Sequence, residues 1–170
     1  MESLRAVIMA TILFGTVGRL AAAPLNLAFS SDKRRFDVER TATTSTNLST
    51  EKWGYKVTVE NKSFKQLEPM EVEYRVFLLD DERNLKKPKL KAHPGTYTLP
   101  AMKNGEKHPF ETQPVELKKS ELKAGWYSSS GLKEKVTDSV GGIWLKVKKD
   151  GEVVAEYMNP PSLKTRVKWE

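Results

Sequence analysis

Two histidines, a serine run and an acidic cluster are the places where this sequence could hold chemistry, and each is incomplete. His93 and His108 are the only histidines, and each stands directly before a proline. A hydrolytic serine needs a base to take its proton. Ser128-Ser129-Ser130 follows Trp126 and Tyr127, but nothing marks one of the three as a nucleophile. No G-x-S-x-G elbow and no H-E-x-x-H helix occurs. Zinc wants about three or four ligands, and without cysteine it would need carboxylates to complete the set. Asp80-Asp81-Glu82 with Asn84 gathers oxygen atoms, yet calcium takes roughly six to eight of them, and the cluster lacks the spacing and glycine of a dedicated loop. It reads as a polar turn that stops a strand. The expectation is a protein with no catalytic residue, no metal and no cofactor, and therefore not an enzyme.

Residues suited to binding are easier to find. Leu85-Lys86-Lys87-Pro88-Lys89-Leu90-Lys91, with Arg83, concentrates five positive charges, where an acidic sugar chain or an acidic partner could dock. The competing reading is a solvated loop. Aromatic rings on a strand face stack on sugars, and Trp144 beside Lys146 fits that role, with Trp126 and Tyr127 extending the platform from a loop. These four are the candidate binding residues. A second account has Trp144 covered by the chain after Pro160-Pro161, which ends in Val167-Lys168-Trp169. It is preferred, because large exposed apolar patches are uncommon on monomers.

The first residues read as an export signal. Arg5 closes a short basic region, Ala6 to Gly18 is an uncharged run, and Ala21, Ala22 and Ala23 come next. The run is shorter than the roughly 20 residues a membrane-spanning helix needs. Residues 1–23 are therefore expected to be a leader, 24–160 a folded domain and 161–170 a tail. The product would be exported, periplasmic or extracellular, and not integral to the membrane. Losing Arg5, Arg19 and Glu2 with the leader lowers the formal charge from +7 to +6. Nucleic acid is disfavoured as a partner by export. The chain has no cysteine, so no disulfide supports the fold, and core burial must suffice.

Alternation dominates the chain beyond the leader. Trp53, Tyr55, Val57 and Val59 share one face of Lys52 to Asn61, and Met70, Val72, Tyr74, Val76 and Leu78 share one face of Met70 to Leu78. This is the pattern of antiparallel strands with one side in water. Leu25 to Phe29, Phe36 to Thr46, Gly95 to Leu99 and Lys107 to Leu117 read as further strands. Thr43 to Thr50 reads as a loop, Asp80 to Pro94 as a long loop or ragged strand, and Gly131 to Gly142 as loop. Ser120 is placed as the cap of one helical turn ended by Gly125. Near the end, Ile143 to Lys148 and Glu152 to Met158 flank Lys149-Asp150-Gly151. A two-residue Asp-Gly turn would pair Lys149 with Glu152 and set Glu156 opposite Leu145 on the buried face. A three-residue turn with a bulge at Gly151 pairs Val147 with Val153, Leu145 with Ala155 and Ile143 with Tyr157, and this register is chosen. It points Trp144 away from the core.

Seven to eight such strands predict an all-β protein, an immunoglobulin-like antiparallel β-sandwich. Its core would hold Tyr55, Val57, Val59, Val72, Tyr74, Val76, Ile143, Leu145 and Val147, with Tyr74 or Trp53 in the central slot.

The stretch Val57 to Asp80 resembles the small bacterial Ig-like and fibronectin-like modules of cell envelopes. Asn61 ends one strand, Leu67 sits in the connection, and Asp80 ends the next strand. Gly105-Glu106-Lys107 before Phe110 is similar to the next segment of those modules. Trp53 to Phe64 and Glu156 to Leu163 resemble secreted proteins of the Verrucomicrobia and Planctomycetes lineages. Some proteins of this sort are encoded with type IV pilus genes, which implies an envelope or adhesion role. The chain departs from pilins, since no long apolar helix comes after the leader, so an accessory role fits better. The expected partners are an envelope or cell-surface protein, or an acidic glycan.

Overall fold

A strand whose residues alternate apolar and polar buries one face and wets the other, and the two most regular alternations of this chain become the central strands of two facing sheets. The computed structural model describes residues 25–81, 88–127 and 133–169. The expected leader, Ser128 to Ser130 and residues 82–87 of the acidic and basic clusters lie outside the described residues. β1 (Leu27–Ala42) and β2 (Thr46–Asn61) make one hairpin, and β3 (Met70–Asp80) with β4 (Lys89–Leu99) another antiparallel pair. Next come β5 (Lys107–Glu111), β6 (Val115–Leu122), β7 (Lys135–Thr137), β8 (Ser139–Lys149) and β9 (Glu152–Asn159), then the short helix α1 (Leu163–Arg166).

The first sheet has the order β1-β2-β6-β7, with β5 also paired to β2, and the second has the order β4-β3-β8-β9. Every pairing is antiparallel. The protein is an all-β antiparallel sandwich. The described residues hold nine strands rather than seven or eight. All nine expected core side chains are buried between the sheets. Tyr74 is buried among them, and its phenol oxygen accepts the Gln113 N–H at 2.9 Å. Burial pushes the Tyr55 phenol up to about 12, with Tyr157 adding to the shift. Among the described residues no helix is long and apolar enough to cross a membrane.

Several connections differ from expectation. Thr46 to Thr50 belongs to β2, and only Thr43 to Ser45 turns the chain. Ser30 to Arg35 joins the two expected N-terminal strands into one, with the register against β2 shifting at Phe36. Lys107 to Leu117 breaks at Thr112 to Pro114, where Thr112 Oγ1 accepts the Tyr55 N–H at 2.9 Å and bridges β5 to β6. β6 runs straight through Ser120 to Leu122, so no helical turn forms there. Lys89 to Pro94 is strand, and Pro94 is tolerated because β4 is an edge. Part of Gly131 to Gly142 supplies β7 and the start of β8.

The last hairpin also takes another register. Lys149 pairs with Glu152 across a two-residue Asp150-Gly151 turn, both residues having positive φ, 52° and 81°. The bulge lies at Val154 instead, so Val147 meets Ala155, Leu145 meets Tyr157 and Ile143 meets Asn159. The constraint was sound, since Glu156 stays off the buried face opposite Lys146. The extra residue sits three positions later than Gly151.

Polar side chains buried in the sandwich fasten its ends. Asn61 is fully buried and donates through Nδ2 to the carbonyls of Lys65, Met102 and Lys103 at 2.9, 3.1 and 3.1 Å, while its Oδ1 accepts the Ser63 N–H at 2.9 Å. At the other end Asp138 accepts the N–H of Asp81 at 3.0 Å and of Lys118 at 2.8 Å. That clamp sets the end of β3 level with Lys118, which pairs with Thr50 of β2. Beyond this level the second sheet stops and the first continues.

Candidate functional site

β2 keeps its alternation past the clamp. Val59, Val57, Tyr55 and Trp53 face the second sheet, and the same side continues through Glu51, still buried, to half-buried Ser49 and exposed Asn47. Strand pairing sets their neighbours. One row across the sheet is Arg40, Ser49, Lys119 and Thr137, and the next is Ala42, Asn47, Glu121 and Lys135. Side chains directly across a pair share a face, so these rows form a polar floor. They line an open groove of about 520 Å³, which continues through Glu51, Lys119 and Thr137 into a second hollow of about 260 Å³ beside Trp53, Lys33 and Val140.

Glu51 stands at the boundary between core and groove. Its carboxylate accepts Lys119 Nζ at 2.7 Å and Trp53 Nε1 at 2.6 Å. The Lys119 ammonium, then the Trp53 indole, holds the Glu51 carboxyl below its ordinary value of 4.5, against a smaller opposing effect of burial. Lys135 lies 3.4 Å from Glu121. Arg40 is exposed and makes no ion pair among the described residues.

The four binding residues expected from the sequence do not form one platform. Trp144 is only 5% exposed and lies on the outer face of the second sheet, in a small cluster with Phe77 and Leu163. Trp169 packs edge-on against it at 5.3 Å between ring centroids, and the Trp144 indole donates to Glu156 at 2.9 Å. The tail is the cover, so Trp144 has no ring face to offer a sugar. Lys146 lies over the Trp169 ring at 4.5 Å, and Arg75 stands at 4.6 Å from the same ring, so both cations hold the tail. A tight seat for the tail comes from Gly142, where a Cβ would stand 2.6 Å from Leu163 Cδ1.

Trp126 and Tyr127 are 53% and 80% exposed. They come after Lys123, whose N–H donates to Ser45 O at 2.9 Å, and therefore sit at the tip of the first sheet's extension. Arg40, Asn47, Ser49, Glu51 and Lys119 were not singled out by the sequence. The signal available was the unbroken i, i+2 spacing from Val59 back to Asn47.

The remaining motifs have structural partners. His108 Nε2 lies 2.8 Å from the Tyr97 hydroxyl, and His93 is exposed on β4. Asp80 pairs with Lys91 and Asp81 with Lys133. Among the described residues no group of three or more histidines and carboxylates could hold a metal ion.

Trp169→Ala should leave the sandwich folded but uncover Trp144. Its indole N–H, identified by its loss from the NMR spectrum in Trp144→Phe, should then exchange with solvent at least about tenfold faster. Unchanged exchange would mean that the tail is not the cover. Glu51→Gln should cost about 1 kcal/mol at neutral pH. Because the folded carboxyl titrates below 4.5, its contribution is present above that value and fades as pH falls through the folded value. Urea midpoints of wild type and Glu51→Gln should therefore converge in acid. A gap that widens in acid would reverse the sign.

No protein-family model and no curated protein matches this chain. Among solved structures, a crystal structure from Akkermansia muciniphila aligns over 88% of this chain and 80% of that chain, with 9% sequence identity and a TM-score of 0.33. At that level of likeness the fold rests on the strand pairing itself.

Proposed function

We propose that this chain is an exported, non-catalytic module of the Ig- and fibronectin-like type that binds another component of the cell envelope or cell surface, in adhesion or scaffolding. The strand orders support the fold type. β4-β3-β8-β9 corresponds to the C′-C-F-G sheet of immunoglobulin-like sandwiches, and β1-β2-β6 to A-B-E. The export signal and the resemblance to envelope modules support the location.

One observation carries the binding role. The first sheet runs past the second and presents a groove on the face that would otherwise be core. Ala42, exposed and paired with Asn47, lines that groove, and Trp126 and Tyr127 stand open at its tip. Exposed apolar side chains beside a polar groove mark interaction surfaces. A site on a rigid sheet also holds its geometry better than one on a loop.

A photo-reactive phenylalanine analogue placed at Ala42, exposed on the groove face, tests this reading against the same analogue at Phe64, 98% exposed and beyond the opposite end of β2. On isolated envelopes, illumination should give adducts from position 42 and few from 64. Equal yields, or adducts from 64 alone, would rule out the extension as the binding surface.

A further inference from the structure

The groove has a definite chemical character, and it is not that of a general protein-docking face. Its floor is polar, with hydroxyl and amide groups between charges of both signs. Lys119 and Glu51 neutralise each other, as do Lys135 and Glu121, which leaves Arg40 as the cation without an ion pair among the described residues. Adjacent strands lie about 4.8 Å apart, so Arg40, Ser49 and Lys119, side by side on three strands, span about 10 Å. That width takes one sugar ring with an anionic substituent. The volume, about 520 Å³, lies within the range of built ligand sites.

We propose that this groove binds a carboxylate- or sulfate-bearing oligosaccharide, with its anion between Arg40 and Lys119 above the Ser49 hydroxyl. The neighbouring Asn47 amide and the Glu121 carboxylate take its hydroxyl groups. Charge and hydrogen-bond complementarity select this ligand. A sugar carries donors and acceptors on every ring and uses groups of both signs, whereas the side chains of an acidic peptide are acceptors only and would be repelled by the groove's own carboxylates. A neutral sugar would leave Arg40 unused. The proposal rests on the extension being the binding surface, and it names the ligand of that surface.

Calorimetric titration of the purified protein tests it, using a heparin-derived tetrasaccharide, a galacturonate trimer, uncharged maltotetraose and short poly-glutamate. At least one acidic sugar should bind at least tenfold more tightly than maltotetraose and poly-glutamate. Arg40→Gln should weaken it fivefold or more without moving the thermal midpoint. Lys107→Gln, on β5 and outside the groove, should not. Equal binding of maltotetraose, or affinity untouched by Arg40→Gln, would overturn the anion site. Poly-glutamate binding as tightly as the sugars would replace the ligand with an acidic protein segment. If no sugar binds while adducts still form at position 42, the ligand class fails and the binding surface stands. Loss of both would remove the two together.

Discussion

Two sheets of unequal length have to share one core. β1 and β2 are 16 residues each, about 53 Å of extended chain, whereas β3, β4 and β8 are 11 residues, about 36 Å. Burial can be satisfied only where the shorter sheet reaches, so the facing side of the longer one changes chemistry along its length. From Val59 to Trp53 it is apolar or aromatic. From Glu51 to Asn47 it is polar. The change falls at the Asp138 clamp that ties the end of the second sheet to β6. Glu51 occupies the last covered position, with one bonded neighbour facing the core, Trp53, and one facing the groove, Lys119. The groove is therefore a consequence of a difference in strand length and of the residues that accommodate it.

The outer face of the second sheet solves a different problem. Phe77 and Trp144 point away from the main core and would be an apolar patch in water. The tail closes over them, anchored by fully buried Leu163 and by Trp169 against Trp144, with Arg75 and Lys146 at its ring. Lys146 serves two aromatic rings, lying 5.7 Å from Trp144 and closer to Trp169. Residues that read as a sugar platform in sequence are here the seat of the chain's own C-terminal segment. The same residue types suit either role, since an indole offers a broad apolar face to whatever covers it.

Legibility in the sequence tracked burial. Where one strand face is buried and the other wet, alternation reveals strand, face and core together, and Tyr55 through Val59 and Met70 through Leu78 were readable for that reason. Thr43 to Thr50 was not, because a strand with water near both faces carries polar residues on both and looks like a loop. The same holds for Lys89 to Pro94 on an edge and for β7, only three residues long. In the last hairpin the need to keep Glu156 off the buried face was legible, but the position of the bulge was not. Val154 and Gly151 restore the alternation equally well, and Asp-Gly suits both turns. Trp126 and Tyr127 do lie at the candidate site's tip, yet Arg40, Ser49 and Lys119 come together only through pairing of three strands distant in sequence.

The central claim is that the inner face of the first sheet is core up to Trp53 and open beyond Glu51. The chain has no cysteine, so single substitutions report on each position without background. Asn47→Cys, Ser49→Cys and Val59→Cys all place a thiol on the same face of β2, and their reaction with a maleimide can be timed in the native protein and in denaturant. Positions 47 and 49 should react within about tenfold of their denatured rates while position 59 is protected by orders of magnitude. Protection at 47 and 49 equal to that at 59 would mean that the face is covered along its whole length, and the groove would not exist in solution.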